Sequence, residues 1–271
     1  NMKFENNFFD AFQDDEKTFI SPVQPTPVKQ PQIIGWSDNV AKDLGLSRAD
    51  DKITETLSGN YISTEMKPYS ARYGGHQFGH WAGQLGDGRA ITLGEINDFE
   101  VQLKGAGLTP YSRQGDGRAV LRSSLREFIC SEAMHGLGIP TTRALSLAVT
   151  GDSVIRDILY NGNPAPETGA IVTRVSPSFI RFGNFEMLSF DQKFDELKEL
   201  ANFVIENFYS DILNLDLTDK KKYAEFLKQV AIRTADMMTH WMSVGFVHGV
   251  MNTDNMSILG LTIDYGPYGW V

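Results

Sequence analysis

The sequence predicts an α+β protein that folds into two lobes. Short segments of alternating apolar and polar residues, separated by turn residues, fill much of the first two-thirds of the chain, as expected for antiparallel strands. One amphipathic helical segment interrupts them, and two longer ones follow in the last third. The predicted division is an N-terminal extension over residues 1–65, a sheet-rich lobe over 66–185 and a helical lobe over 186–271.

Two short helices are predicted before the sheet. Ser37 can cap a helix that runs through Leu44, with Gly45 as its stop, because a serine oxygen accepts from the free amides of the first turn. A second short helix is expected over Asp50–Leu57. These elements belong to the extension.

A β-hairpin and a helix come next. Ala90–Ile96 and Phe99–Lys104 alternate on either side of Asn97-Asp98, a pair typical of two-residue hairpin turns. A helix is predicted over Ser123–His135, and its spacing predicts a core-facing apolar stripe. That stripe consists of Leu125, Phe128, Ile129 and Ala133.

The remaining elements are three strands and two long amphipathic helices. The strands are predicted at Ala144–Val149, Ser153–Leu159 and Ala170–Val175. The helices are predicted at Phe194–Tyr209 and Tyr223–Val244. The change from strand to helix periodicity marks the second lobe.

Charge and cysteine content exclude several classes of protein. The 271 residues include 25 Lys+Arg and 34 Asp+Glu, a net charge of −9, which argues against a nucleic-acid binder because such proteins need a basic face. A single cysteine, Cys130, cannot form an internal disulfide. No apolar stretch approaches the ~20 residues that cross a bilayer, and Asn1-Met2-Lys3-Phe4 lacks a signal peptide's apolar core. We therefore expect a cytoplasmic protein without nucleic-acid or membrane partners.

The first candidate site is a glycine cluster, Gly83-Gln84-Leu85-Gly86-Asp87-Gly88-Arg89. Closely spaced glycines let backbone amides approach a phosphate, and Arg89 adds a positive charge. A surface turn is the simpler interpretation, and this cluster taken alone favours it.

The second candidate is Lys104 at the end of a predicted strand, followed by a helix that carries Glu127 and Glu132. A strand lysine held by a helix glutamate is the kinase device for gripping nucleotide phosphates. An exposed lysine on an amphipathic strand is the alternative. On a helical wheel Glu127 points away from the apolar stripe, whereas Glu132 lies on it, so we choose Glu127 and keep Glu132 in reserve.

The third candidate is the C-terminal pair of motifs, His248–Asn255 and Asp264-Tyr265-Gly266. Kinases place a base Asp five residues before a metal-binding Asn, followed by a metal-binding Asp-Phe-Gly. Five residues before Asn255 is Val250, which cannot accept a proton. Asn255 and Asp264 nevertheless supply the oxygen ligands that Mg²⁺ needs. The alternative is two polar turns beside a buried strand.

Two further sets of residues are weaker candidates. Arg174 and Arg181, near predicted strands, can clamp a phosphate, although exposed strand arginines are commoner. His76 and His80 have the spacing of zinc ligands, but Gln77 replaces the glutamate of His-Glu-x-x-His, so zinc has little support.

Together these segments resemble the selenoprotein O family of kinase-fold protein nucleotidyltransferases. The resemblance runs from about Trp36 to the C-terminus. The matching segments are Tyr73-Gly74-Gly75-His76-Gln77-Phe78-Gly79, Gln102-Leu103-Lys104-Gly105-Ala106-Gly107, Tyr111-Ser112-Arg113-Gln114-Gly115-Asp116-Gly117-Arg118-Ala119 and His248 through Gly266.

The resemblance implies a two-lobed kinase-like fold that binds ATP in a flipped orientation, so that the α-phosphate faces the acceptor. AMP from ATP, or UMP from UTP, would pass to a Ser, Thr or Tyr hydroxyl of a protein substrate, with Mg²⁺ or Mn²⁺ as the metal. Pyrophosphate would leave. A kinase that transfers the γ-phosphate and an inactive nucleotide-binding scaffold remain the alternatives.

The resemblance also implies the roles of single residues. Asp254 would be the general base, Asn255 and Asp264 the metal ligands, and Glu127 the ion-pair partner of Lys104. The implied nucleotide-binding residues are Gly86, Gly88, Arg89, Lys104, Asp116, Gly117, Arg174, Arg181 and Asp264. Because family members continue beyond the Asp264-Tyr265-Gly266 segment, we expect a C-terminally truncated chain with only part of the helical lobe.

Overall fold

The computed structural model describes residues 2–47 and 49–271, and the chain divides into two compact units. Unit 1 comprises Asn1–Arg72, Gly86–Leu137 and Thr142–Phe179, and unit 2 comprises Tyr73–Leu85, Gly138–Thr141 and Ile180–Val271. The helices are α1 (Asn7–Phe12), α2 (Asp38–Asp43), α3 (Asp51–Leu57), α4 (Leu121–Gly136), α5 (Phe182–Phe190), α6 (Phe194–Phe208) and α7 (Asp219–Val244), with 3₁₀ turns at Ser210–Leu215 and Thr253–Asn255. The strands are β1 (Ile20–Pro22), β2 (Gln32–Trp36), β3 (Tyr69–Ala71), β4 (Gly74–Gln77), β5 (His80–Gln84), β6 (Ala90–Ile96), β7 (Phe99–Lys104), β8 (Ala119–Val120), β9 (Arg143–Arg156), β10 (Ala165–Ser176), β11 (Phe246–Val247) and β12 (Gly269–Trp270).

Unit 1 is built on one antiparallel sheet. Its strand order is β1-β3-β6-β7-β10-β9-β2, and β8 pairs with β10. The predicted hairpin is confirmed: β6 and β7 pair antiparallel from Ala90 opposite Lys104 to Ile96 opposite Phe99. Asn97 and Asp98 make the turn with φ values of 49° and 64°, a conformation that these two residue types tolerate.

The N-terminal helices pack on the core of this sheet. Leu44 and Leu57 are buried in the same apolar cluster as Leu93, Leu103 and Ile171 from the central strands. The predicted Ser37 cap is confirmed, since Ser37 Oγ accepts from the Val40 amide. The second helix is capped by Asp50, whose Oδ1 accepts from the Ile53 amide. The N-terminal segment is therefore part of unit 1 and is not a separate body.

The predicted strands at Ala144–Val149 and Ser153–Leu159 are one strand, β9, which ends at Arg156. The prediction of two strands is therefore wrong. Gly151 has φ +77° and sits at an irregularity where the pairing with β10 shifts register, so the strand bends and continues.

The predicted helix is confirmed as α4, but the predicted buried stripe is wrong. Leu125 and Ile129 are 41% and 56% exposed. The buried residues of α4 are Ser124, Glu127, Cys130, Ser131 and Met134. The buried face of α4 therefore mixes polar, sulfur-containing and charged side chains, and its glutamate has cationic partners on the sheet, which a helical wheel does not reveal.

Unit 2 is mainly helical. The two predicted long helices are confirmed as α6 and α7, although α7 begins earlier, at Asp219. Two small antiparallel pairs, β4–β5 and β11–β12, complete the unit. Across residues 2–47 and 49–271, no helix combines the length and apolarity needed to cross a bilayer.

Candidate functional site

Unit 1 contains a buried ion pair at the end of strand β7. Lys104 Nζ lies 2.8 Å from Glu127 Oε2 on α4, and the two side chains are 17% and 3% exposed. The alternative of an exposed strand lysine is therefore wrong. Glu132, held in reserve, instead accepts hydrogen bonds from Arg143 and Ser37, and these contacts lower its pKa against the opposing effect of burial.

Arg174 joins the same cluster from strand β10. It lies opposite Gln102 in the register with β7; its Nε donates to Gln102 Oε1 at 2.9 Å, and its Nη1 is 3.3 Å from Glu127 Oε1. Arg174 is 5% exposed, so its description as an exposed strand arginine is wrong. Two cations then contact one carboxylate, and an ammonium and a guanidinium group held this close together suit an anionic ligand.

The glycine cluster runs from the end of strand β5 into the loop that precedes β6. Gly86 has φ +75°, and a Cβ there would lie 2.5 Å from the Tyr111 ring. A Cβ on Gly88 would lie 3.0 Å from the Tyr111 carbonyl oxygen. Arg89 is exposed and, among the described residues, its side chain has no hydrogen bond or ion pair. The exposed Arg89 guanidinium is therefore available to bind an anion beside this closely packed loop.

Asp116 and Gly117 lie in the loop before β8. Asp116 accepts two hydrogen bonds from Arg156, at 2.7 and 2.9 Å, and these bonds lower the pKa of its carboxyl. Gly117 has φ +71°, and a Cβ there would be 2.1 Å from the backbone of Gly107. Arg156 was missed by the sequence analysis because its partner is 40 residues away.

In unit 2, Asp254 lies in a 3₁₀ turn and is 8% exposed. Its Oδ2 accepts from Gln77 Nε2 at 3.0 Å, while its buried Oδ1 has no hydrogen-bond partner within the described part of the chain. Burial raises the pKa of Asp254, the Gln77 bond and Arg181 lower it, and the charge of Asp264 raises it. The balance is a rise, which makes this carboxylate a better proton acceptor than an exposed aspartate.

Arg181 holds the loop of Asp254 next to Asp264. Its Nη1 donates to the Asp254 carbonyl at 2.8 Å and to Asp264 Oδ2 at 2.5 Å, and its guanidinium lies 4.4 Å from the centre of the Tyr73 ring. Arg181 is 2% exposed, so the exposed-arginine alternative is wrong here as well.

Asn255 is oriented by the residue that broke the kinase spacing. Its Nδ2 donates to the Val250 carbonyl at 3.0 Å, which leaves the amide oxygen as the atom that can bind a cation. Val250 therefore contributes through its backbone, and its inability to accept a proton from a substrate has no bearing on this role.

His248 is the first residue of the His248–Asn255 motif. Its Nε2 donates to the Ile263 carbonyl at 2.7 Å and its Nδ1 accepts from the Val250 amide at 3.3 Å, an arrangement that requires a neutral ring. The ring stacks on Trp241 at 5.5 Å. His248 thus joins the segment before Asp264 to the loop that carries Asp254 and Asn255.

The histidines with zinc-like spacing lie in the β4–β5 hairpin. His76 Nδ1 is 3.0 Å from Glu186 Oε2, which gives it a carboxylate partner. Across the described ranges, no group of three or more His, Cys, Asp or Glu side chains is placed to hold a metal. Gln77 occupies the position of the glutamate in the zinc motif. Its side chain is the hydrogen-bond partner of Asp254.

A known protein family matches nearly the whole length of the chain. The family described as Protein adenylyltransferase SelO matches residues 3–271. The chain belongs to the SelO family. Three curated relatives carry the name Protein nucleotidyltransferase YdiU: those of Nitrosospira multiformis, Xylella fastidiosa strain Temecula1 and Azoarcus sp. strain BH72.

These SelO relatives are 56%, 54% and 59% identical to the chain over 287, 288 and 259 residues. The alignments cover 99%, 100% and 93% of this chain but only 51%, 55% and 49% of the relatives. The chain therefore spans about half the length of the curated relatives it matches.

Proposed function

We propose that the protein transfers a nucleoside monophosphate to a hydroxyl group of a protein substrate. AMP from ATP is the expected donor group, with UMP from UTP as a second possibility for the same chemistry. Membership of the SelO family supports the reaction class. The observation that carries the proposal for this chain is the pairing of a buried carboxylate, Asp254, with the adjacent oxygen ligands Asn255 and Asp264.

The triphosphate would be bound by the cationic and glycine-rich groups. Lys104 and Arg174 both contact Glu127, which holds the two cationic groups in fixed positions. Arg89 and the backbone amides of Gly86 and Gly88 would add further donors. The remaining proposed nucleotide contacts are Asp116, Gly117, Arg181 and Asp264. Preorganised cationic donors such as Lys104, Arg174 and Arg89 would offset the charge that develops on a leaving pyrophosphate.

A divalent cation would be held by Asn255 and Asp264. The donor set fits, because amide and carboxylate oxygens are what Mg²⁺ and Mn²⁺ prefer, and the Asn255 amide is already turned with its nitrogen on the Val250 carbonyl. Arg181 binds Asp264 Oδ2 and would share that carboxylate with the cation. When bound, the cation offsets negative charge on the phosphates.

Asp254 would act as the general base. It would take the proton of the acceptor hydroxyl while the hydroxyl oxygen bonds to the α-phosphorus, and the bond from that phosphorus to the departing pyrophosphate oxygen breaks. The flipped orientation that the family resemblance implies would place the α-phosphorus at the acceptor. Positioning and charge are expected to supply most of the rate, because a carboxylate is a weak base.

We further propose that the chain adopts the kinase-like arrangement of its family, with residues 66–185 as the sheet-rich lobe and residues 186–271 as part of the helical lobe. The large antiparallel sheet of unit 1, with α4 bringing Glu127 to Lys104, supports the first part. The predominance of helices in unit 2 supports the second.

Nucleotidyl transfer is tested by labelling ATP separately on its α- and γ-phosphates and incubating each with the complete natural protein and a mixture of acceptor proteins. Label should pass to protein from α-labelled ATP alone. Transfer from γ-labelled ATP alone would identify a kinase. Nucleotide binding without transfer of either label would identify an inactive scaffold.

A further inference from the structure

The β4–β5 hairpin holds three consecutive residues of the turn that carries Asp254. The Phe78 amide donates to Asn252 Oδ1 at 3.2 Å, the His76 amide donates to Thr253 Oγ1 at 2.8 Å, and Gln77 Nε2 donates to Asp254 Oδ2 at 3.0 Å. Thr253 Oγ1 in turn donates to Glu186 Oε2 at 2.7 Å, the same oxygen that faces His76. All these residues belong to unit 2.

Close packing fixes the other side of the carboxylate. A Cβ on Gly75 would lie 2.5 Å from Asp254 Oδ1 and 2.9 Å from its Cβ and Cγ. Oδ1 is therefore covered by the hairpin backbone, which accounts for its burial without a hydrogen-bond partner. The carboxylate can reach this position only because residue 75 has no side chain.

The two oxygens of Asp254 consequently differ. Oδ1 is covered by Gly75, whereas Oδ2 has one hydrogen bond from Gln77. A carboxylate oxygen has two lone pairs, so Oδ2 can accept a second hydrogen bond, and a hydroxyl group can donate it. The hairpin thus distinguishes one oxygen of the carboxylate from the other.

We propose that Gln77 is a positioning residue that orients the Asp254 carboxylate so that Oδ2 receives the acceptor proton. The inference rests on the proposed function, in which Asp254 is the base. Gly75 supplies the matching space, and the backbone contacts of His76 and Phe78 hold the turn in register with the hairpin. Unlike the bonds from the His76 and Phe78 amides, the hydrogen bond from Gln77 is donated by a hairpin side chain, so a substitution within the hairpin can remove it.

The direct test replaces Gln77 by methionine in the complete natural protein, since methionine has a similar length and no hydrogen-bond donor. We expect kcat for transfer from α-labelled ATP to fall at least about tenfold, because small losses of alignment are costly in proton transfer. The KM and Kd for nucleotide should stay within about twofold of wild type, because the Gln77 amide binds Asp254 and is not among the proposed nucleotide contacts.

Gln229→Met is the matched control. Gln229 Nε2 also donates to a carboxylate, Glu225 Oε1 at 3.2 Å, but on the helix α7. Its loss should leave kcat unchanged. Gly75→Ala provides a second variant that keeps the Gln77 donor and displaces the carboxylate by contact, and it should lower kcat as well. Thermal melting of each variant separates loss of alignment from loss of folding.

The outcomes distinguish this inference from the proposed function. If Asp254→Asn is inactive while Gln77→Met has a wild-type kcat, the positioning role is wrong and the base assignment stands. An equal weakening of kcat and nucleotide affinity in Gln77→Met would also overturn the positioning role. If Asp254→Asn transfers label at the wild-type rate, or wild type transfers none, the proposed function fails and the inference fails with it.

Discussion

At the scale of single residues, burial decides which charged side chains act together. Asp254, Arg174 and Arg181 are each less than a tenth exposed, and each side chain has at least one hydrogen-bond partner. A buried and oriented carboxylate suits proton transfer, whereas buried arginines suit fixed binding of anions. The chemistry proposed for each residue follows from this difference.

Asp254→Asn should abolish transfer of nucleotide while binding of nucleotide is largely kept. The substitution retains the size of the side chain and removes its capacity to take a proton. Rates from α-labelled ATP and affinities from calorimetry measure the two effects separately. Equal loss of affinity and rate would mean that Asp254 acts mainly in binding.

Asp264→Ala should instead weaken nucleotide binding that depends on Mg²⁺. The variant removes one of two proposed oxygen ligands, so the gain in affinity on adding Mg²⁺ should shrink. Titration of nucleotide with and without Mg²⁺ measures that gain. A gain as large as in wild type would contradict the metal assignment.

Glu100 should make the protein less stable as pH rises. It is 5% exposed and accepts from the Tyr69 hydroxyl and the Phe179 amide, and burial raises its pKa from 4.5 to about 8. Between these values the unfolded chain releases a proton that the folded chain retains, so the free energy of unfolding falls with rising pH. Glu100→Gln should show a shallower fall in denaturant titrations between pH 5 and 8.

Glu199→Gln, an exposed substitution on α6, is the control for that experiment and should follow the wild-type pH dependence. Parallel curves for Glu100→Gln and wild type would show that residue 100 does not hold the proton.

The Lys104–Glu127 pair and the proposed metal ligands Asn255 and Asp264 were predicted from motifs with a chemical rationale, whereas the role of Asp254 was implied by the family resemblance. Sequence reasoning missed Gln77 and Arg156, whose partners are 177 and 40 residues away. No local pattern encodes such contacts. It also failed to anticipate the burial of the two arginines, since a strand pattern does not say which polar groups will meet across a sheet.

At the scale of elements, helix α4 shows how one ion pair can determine which face is buried. Glu127→Leu would leave Lys104 and Arg174 without their shared anion, and breaking a buried pair costs about 3–5 kcal/mol. We expect the free energy of unfolding from denaturant titration to fall by that amount.

Leu125→Ala and Ile129→Ala on the same helix are the controls. Both side chains are substantially exposed, so each change should stay within about 0.5 kcal/mol. A fall of several kcal/mol in the free energy of unfolding at either position would contradict this assignment of the buried face and support the apolar stripe predicted from periodicity.

Element prediction succeeded where local signals were strong. The β6–β7 hairpin has its turn pair, and helices α2 and α3 have their capping residues. The β4–β5 hairpin was missed because its glycines and histidines lack strand propensity. Its formation depends on contacts with a turn far along the chain, including those of His76 and Gln77.

At the scale of the whole molecule, the combination of a large antiparallel sheet with several helices was predictable, because the period and order of the segments reflect it directly. The discontinuity of the two units was not, since Tyr73–Leu85 and Gly138–Thr141 join unit 2 although unit 1 surrounds them in sequence. The unit to which a short segment belongs depends on its tertiary contacts, and local sequence patterns do not encode these contacts. The resemblance to a family supplied the functional roles that composition and spacing left open.

The tryptophans offer separate reporters for the two units. Trp36 is in unit 1, whereas Trp81, Trp241 and Trp270 are in unit 2. We expect Glu127→Leu to lower the denaturant midpoint seen by Trp36 alone, in a chain whose other tryptophans are replaced by phenylalanine, more than the midpoint seen in a Trp36→Phe chain. Equal shifts would show that the units unfold as one.

Gly183 bears a constraint similar to that at Gly75, because a Cβ there would lie 2.0 Å from the Gly74 carbonyl oxygen. Backbone meets backbone at this contact, so a methyl group cannot be accommodated by turning a side chain. Natural drift should therefore leave positions 75 and 183 as glycine in every functional descendant of this chain, while exposed neighbours such as Phe78 are free to vary. Random mutagenesis followed by selection for activity should recover substitutions at exposed positions but none at position 75 or 183.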